Sequence, residues 1–119
     1  MKIIARKNVK EADVTPVELI GKAKSTIQWA ITEEDGAPNF EMRYISLSPD
    51  STTPFHAHPW EHEVYIVKGK GALKTEKGSQ SIEKDDFVFV PLDEKHQFIN
   101  TSEEDLDFIC VVPKGTRYK

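Results

Sequence analysis

The stretch Pro54–Gly69 reads PFHAHPWEHEVYIVKG and carries three of the chain's four histidines, His56, His58 and His62. The fourth, His96, lies in VPLDEKHQFIN, Val90 to Asn100. Four histidines is an ordinary number for 119 residues, but their confinement to two short segments is not. Neutral imidazole is the commonest biological metal ligand, because it offers a lone pair without adding charge. Three rings within seven residues and one from a later strand read as the ligand set of a single ion. His56 and His58 are two apart, so on an extended strand both rings project from one face. Pro59-Trp60 then bends the chain and His62 opens the next strand. Ser46, Ser48 and Cys110 have no spare histidine to activate them, so any chemistry must be carried by the metal and what it binds.

Outward from this stretch the pattern is β. Ile27, Trp29 and Ile31 alternate with Thr26, Gln28 and Ala30, the period of a half-buried strand. Glu33 to Asn39 is a polar loop with breakers, FEMRYISLS (Phe40–Ser48) the next strand, and Ser48-Pro49-Asp50-Ser51 a turn. Strands follow at His62–Lys68, Ala72–Glu76, Gln80–Glu83, Phe87–Val90, His96–Thr101 and Leu106–Val112, with Lys77-Gly78-Ser79 as a hairpin turn. Short strands punctuated by turns at this spacing suggest an all-β sandwich or barrel. Ile3-Ile4 reads as a short edge strand and Pro16–Ile20 as a single turn, with no role assigned to residues 1–24. Val64/Ile66 against Tyr65/Val67, and Phe87/Phe89 against Val88/Val90, are apolar on both faces. A sandwich strand buries only one face, so the N-terminal segment or a partner subunit must cover the other. A homodimer with sheets packed across a two-fold axis is the favoured expectation.

Bulk properties narrow the class. A chain of 119 residues, 38% hydrophobic and 30% charged, is expected to form one domain over 1–119 with an apolar core. The net charge of −4 is spread along the chain and lacks the basic footprint of a nucleic-acid binder. No apolar run is long enough for a membrane-spanning helix. The N-terminal MKIIARKNVKEADV lacks the apolar h-region of a secretory signal. A single cysteine, Cys110, excludes an intrachain disulfide and points to a reducing, cytoplasmic setting.

The two histidine segments resemble the paired motifs of the cupin superfamily, and specifically its small single-domain members. The first is His-x-His, three or four residues, an acidic ligand, about six residues and Gly, matched here from His56 to Gly69. The second is Gly, five residues, Pro-x-Gly, two residues, His, three residues and Asn. Here it reads Pro91-x-Asp93-x-x-His96-x-x-x-Asn100, with Asp85 and Asp93 in place of its glycines, a change turn-forming Asp tolerates. The resemblance covers roughly residues 39–113, leaving 1–38 as extra strands or a dimer arm. It implies a double-stranded β-helix, the antiparallel jelly-roll barrel. At the acidic-ligand position the register to Gly69 places His62, with Glu63 as rival. His62 is in phase with Val64 and Ile66, Glu63 with Tyr65 and Val67, and only one set can face the cavity. With His62 the chain is similar to the four-histidine, manganese-binding subgroup.

That resemblance implies one divalent ion bound by His56, His58, His62 and His96, manganese first and iron second, with Ni, Co, Cu and Zn all accepted by imidazole. Four neutral ligands leave the ion its full charge and two positions for water, substrate or dioxygen. Alternation offers a pocket from Phe108, Cys110 and Phe98, with Phe55 or Trp60 at its rim; the alternative for each is plain core packing. Cys110 is either a small buried hydrophobe or an oxidisable thiol near the metal. Arg43, in mid-strand, either faces solvent or reaches the cavity to pair with a substrate carboxylate or enolate. The leading expectation is a metal-dependent, dioxygenase-type oxidoreductase acting on a small organic molecule, its catalysis metal-centred with Arg43 and Cys110 as candidates. The alternatives are a non-catalytic ligand-binding or sensing barrel, and a metal-dependent isomerase or lyase that needs no dioxygen.

Overall fold

In the strand Leu106–Pro113, every second side chain from Leu106 through Phe108 and Cys110 to Val112 is at most 2% exposed. That alternation is the period-two signature of a strand with one face on a core, and it sets the inside of the molecule. The computed structural model describes residues 1–13 and 25–116. Within them lie β1 (Glu11–Asp13), β2 (Thr26–Ile31), β3 (Phe40–Leu47), β4 (His62–Lys68), β5 (Lys70–Thr75), β6 (Gly78–Glu83), β7 (Phe87–Val90), β8 (His96–Ile99) and β9 (Leu106–Pro113). Short 3-10 turns occur at Arg6–Asn8 and Glu33–Asp35. No helix among the described residues is long and apolar enough to cross a membrane.

All strand pairs are antiparallel, in a six-stranded sheet ordered β1-β2-β3-β9-β4-β7 and a three-stranded sheet ordered β6-β5-β8. The two face each other as a jelly-roll barrel, the double-stranded β-helix expected from the motifs. Ile45, Leu47, Val64 and Ile66 on one sheet meet Ile82 and Phe98 on the other. Phe98 and Phe108 stack across the gap with ring centroids 4.5 Å apart. Such burial, at about 25 cal/mol per Å² of apolar surface, is the main force holding the sheets together.

The motif residues that are not histidines hold the turns. Asp85 and Asp93 adopt left-handed φ of 75° and 61°, a conformation Asp reaches more readily than most residues. The Asp93 amide then donates to the His58 carbonyl at 2.7 Å, tying the two histidine segments together. Gly69 has φ 90°, and a Cβ there would lie 2.3 Å from the Asp105 carbonyl oxygen, so no other residue fits. Asn100 is 1% exposed; its Nδ2 donates to the carbonyls of Leu47 and Glu104 at 2.9 and 2.7 Å. Its Oδ1 accepts from the Ser102 amide at 2.9 Å, which closes the turn into β9.

The N-terminal segment differs from expectation. Ile3 and Ile4 form no strand; the edge strand is β1, paired with β2. Gln28, on the outer side of β2, is the cause. Its Nε2 donates to the carbonyls of Arg6 and Val9, both at 3.0 Å, while Arg6 Nε donates to Gln28 Oε1 at 2.9 Å. These bonds satisfy backbone groups that a ladder would otherwise take, and fold residues before β1 over β2 and β3. The turn expected at Pro16–Ile20 lies outside the described residues. At the far edge, Phe87 and Phe89 on the outer side of β7 are 83% and 61% exposed.

Candidate metal centre

His62 and His96 are the first residues of β4 and β8, and both rings point inward at 5% and 4% exposure. His56 lies in a loop rather than a strand. It is held by an isolated antiparallel bridge to His96, with backbone N–O distances of 3.2 and 2.9 Å in the two directions. His58, two residues on, projects to the same side, so its Nε2 is 3.2 Å from that of His56. The ring of His96 is 5.1 Å from both His56 and His62, and His58 is 5.2 Å from His62. A ligand nitrogen from each of His56, His58 and His96 lies within 4.8 Å of the other two. Trp60 stacks on His58, with ring centroids 4.6 Å apart and planes 8° from parallel, fixing that ring's tilt.

The donor set suits a cation. His96 Nδ1 donates to the Glu94 carbonyl at 2.9 Å, which leaves its Nε2 as a lone pair facing the other rings. His62 Nε2 is buried with no hydrogen-bond partner. An orphaned buried nitrogen is costly, and a metal ion at the ring cluster removes that cost. All four imidazoles are held neutral. Burial foremost, then the neighbouring rings and Arg43, lowers His56 to about 4. Burial, then Arg43 and the other rings, lowers His62 to about 3. Burial likewise lowers His58 and His96. Neutral rings are the form that binds metal.

The histidines line a half-open cavity of about 430 Å³. Ile27, Trp29, Ile45, Phe98 and Phe108 form its apolar walls, and Arg43 and Cys110 also line it. Arg43 Nη2 donates to Cys110 Sγ at 2.8 Å and sits 3.2 Å from His62 Nδ1. Its guanidinium carbon is 5.5 Å from the Trp29 ring centre. Trp60 lines the cavity. Phe55 does not: it is 37% exposed and lies under Lys74, because the loop turns its ring outward beside the inward His56. Glu63 is exposed on the outer face of β4. Trp29, Ile27 and Ile45 were not expected as walls, although Trp29 and Ile27 share one phase of β2.

The Cupin domain family model matches residues 43–112, more than half of the chain and every histidine. The chain is a cupin. Among curated proteins, this cupin is 31% identical over 72 residues to a 1-methylthio-D-xylulose 5-phosphate methylsulfurylase of Rhodospirillum rubrum, covering 60% of this chain. It spans only 46% of that enzyme's length. It is 26% identical over 110 residues to an oxalate-binding protein of Thermotoga maritima, covering 87% of this chain and 91% of that one. Among solved structures, the polyketide cyclase RemF of Streptomyces resistomycificus superposes with a TM-score of 0.84 at 28% identity. That match covers 95% of this chain and 79% of the cyclase.

Proposed function

We propose that His56, His58, His62 and His96 together hold one divalent metal ion, and that this cupin uses the site to act on a small, oxygen-bearing organic molecule. The observation that carries the reading is the buried, unpartnered Nε2 of His62, whose ring lies 5.2 and 5.1 Å from those of His58 and His96, beside the cluster that these two form with His56. A divalent ion bound there would supply Lewis acidity toward oxygen donors, undiminished by any carboxylate ligand. The remaining work falls to the chain. The Glu94 carbonyl orients His96, Trp60 steadies His58, and the apolar walls limit water around the reacting molecule. Arg43 adds a fixed positive charge beside the ligand set, where it favours negative charge developing on oxygen.

Manganese is the proposed ion, with iron second, as the likeness to four-histidine cupins suggests. Charge-neutral ligands and a neighbouring guanidinium both disfavour loss of an electron from the ion, so we place polarisation of a carbonyl or enol group ahead of redox chemistry. Support comes from the relatives' names: oxalate and polyketides both carry closely spaced oxygens that can chelate one ion. The dioxygenase expectation stands as the second reading, favoured by the apolar walls, which suit dioxygen. The exposed Phe87 and Phe89 further support a working homodimer.

The test is elemental analysis of tag-free protein followed by turnover of small β-dicarbonyl and phenolic compounds with and without dioxygen. About one equivalent of metal per chain and oxygen-independent turnover is the expected result. Turnover with matching oxygen uptake would instead establish the second reading. Less than about a tenth of an equivalent, unrestored by added divalent metals, would overturn both.

A further inference from the structure

We infer that the cavity selects an organic anion with a flat, conjugated body, and that Arg43 is the residue that binds its negative charge. This rests on the metal reading above and narrows the substrate class for the same site.

Charge comes first. Arg43 is the only lysine or arginine among the described residues lining the cavity, and no aspartate or glutamate lines it. No carboxylate of the described residues pairs with Arg43. Charges removed from water are ordinarily paired. Here the site's own ligands are neutral imidazoles, so neither the guanidinium nor a bound divalent ion finds a counter-charge in the described wall. The ligand must bring it.

Spare donors come second. Nη2 is engaged with Cys110 Sγ, but Nε is buried with no acceptor. A guanidinium carries five donors in a planar fork, and that fork matches a carboxylate or a carboxylate–enolate edge. Nη2 is 3.2 Å from His62 Nδ1, so Arg43 meets that ring behind its metal-facing Nε2, in the wall of the same cavity. One molecule in the cavity can therefore set an anionic group on Arg43 and an oxygen toward the histidine cluster.

The walls decide the rest. The half-buried Trp29 and Trp60 bring ring surfaces to the lining, the mutually stacked Phe98 and Phe108 border it at 5% and 1% exposure, and Ile27 and Ile45 complete its apolar part. Of the two threonines in the lining, Thr53 already accepts from the Phe98 amide at 2.9 Å. A sugar or sugar phosphate would leave most of its hydroxyls unpaired against such a surface, at a cost for each. A planar aromatic acid loses nothing there, and its ring surface gains by burial.

The experiment is calorimetric titration of Mn-loaded protein with 1-hydroxy-2-naphthoate, its methyl ester and ribose 5-phosphate, with metal content measured in every sample. The acid should bind about tenfold or more tightly than the ester, with the sugar phosphate weakest. Arg43→Met should abolish that preference by weakening the acid alone, and Arg43→Lys should keep part of it. Equal binding of acid and ester by the wild type, or an unchanged preference in folded Arg43→Met with its metal intact, would overturn the inference. The acid–ester comparison needs no variant, so it decides even if Arg43→Met fails to fold. If the wild type holds no metal, the metal reading fails separately. The acid–ester preference of the metal-free protein, and its loss in Arg43→Met, then tests Arg43 alone.

Discussion

Sγ of Cys110 lies 3.3 Å from Nδ1 of His62, on the strand paired beside it. For His62 Nε2 to present a lone pair to a metal, Nδ1 must carry the ring proton. The Arg43 guanidinium, at 3.2 Å, can only donate, so the sulfur is the acceptor that favours the metal-binding tautomer. Burial pushes the Cys110 thiol up, which keeps it a neutral acceptor. Cys110→Ala should therefore weaken metal binding about 10–100-fold, the usual effect of removing a partner behind a ligand. Cys110→Ser, which keeps an acceptor, should lose less. Competition with a coloured chelator reads both, and an unchanged affinity in Cys110→Ala would mean the sulfur plays no part in orienting His62.

His62 and Glu63 are neighbours that face opposite sides of β4, one buried at 5% exposure and the other exposed. Loss of the His62 ring should empty most of the site, and so should loss of His96. Glu63→Ala should keep wild-type occupancy. Elemental analysis of the three purified variants checks this. A full site in His62→Ala together with an empty one in Glu63→Ala would reverse the assignment.

Acid should act on this protein through the same rings. Their folded values lie below the ordinary histidine value, at about 4 for His56 and about 3 for His62. The unfolded chain, near about 6.5, takes up protons that the folded metal-free state refuses. Stability from these groups is thus complete above the unfolded value and is lost as pH falls toward the folded ones. Metal-free protein should show a urea midpoint that drops steadily from pH 7 to about pH 4, with the loss beginning near about 6.5. Bound metal should survive at about pH 6 and be released nearer about pH 4, where protons compete for the rings. A flat midpoint over that range would contradict neutral, buried imidazoles.

Strand alternation and punctuation were enough to place β2 to β9, but β4 is apolar in both phases, so the preference for His62 over Glu63 rested on the register to Gly69. In the structure His62 is the buried one of the two. Asp85 and Asp93 were readable as turn residues for the same reason they work: Asp tolerates left-handed φ. β3 was not readable to that depth. Phe40, Met42 and Tyr44 are apolar in one phase and Ile45 and Leu47 in the other, so parity alone leaves Arg43 undecided. In the structure the inner phase is the one carrying Glu41 and Arg43. Glu41 is 2% exposed yet satisfied, its Oε2 accepting from the Glu33 amide at 2.8 Å. A contact with the loop just before the strand thus lets a carboxylate occupy the inner phase. β1 is three residues with no alternation; it pairs with β2, and the Gln28 side chain holds Arg6 and Val9 just before it.

The outer face of β7 bears on assembly. Phe87 and Phe89 are largely exposed, and Tyr65 packs beside Phe87 with ring centroids 5.2 Å apart. The described part of the N-terminal segment does not cover them: Arg6 lies over Tyr44 at 3.7 Å, on β3, which β9 and β4 separate from β7 in the same sheet. Clustered exposed aromatic rings of this kind mark interaction surfaces, and a self-complementary patch on one sheet suits a two-fold pair. Wild-type protein should therefore sediment as a dimer at about 10 μM, a concentration well above that needed for micromolar association. Phe87→Glu combined with Phe89→Glu should give a monomer with an unchanged circular dichroism spectrum. Because these rings point away from the histidine cluster, the monomer should keep its metal. A wild type that is monomeric at this concentration, or a double variant that remains dimeric, would remove β7 as the interface.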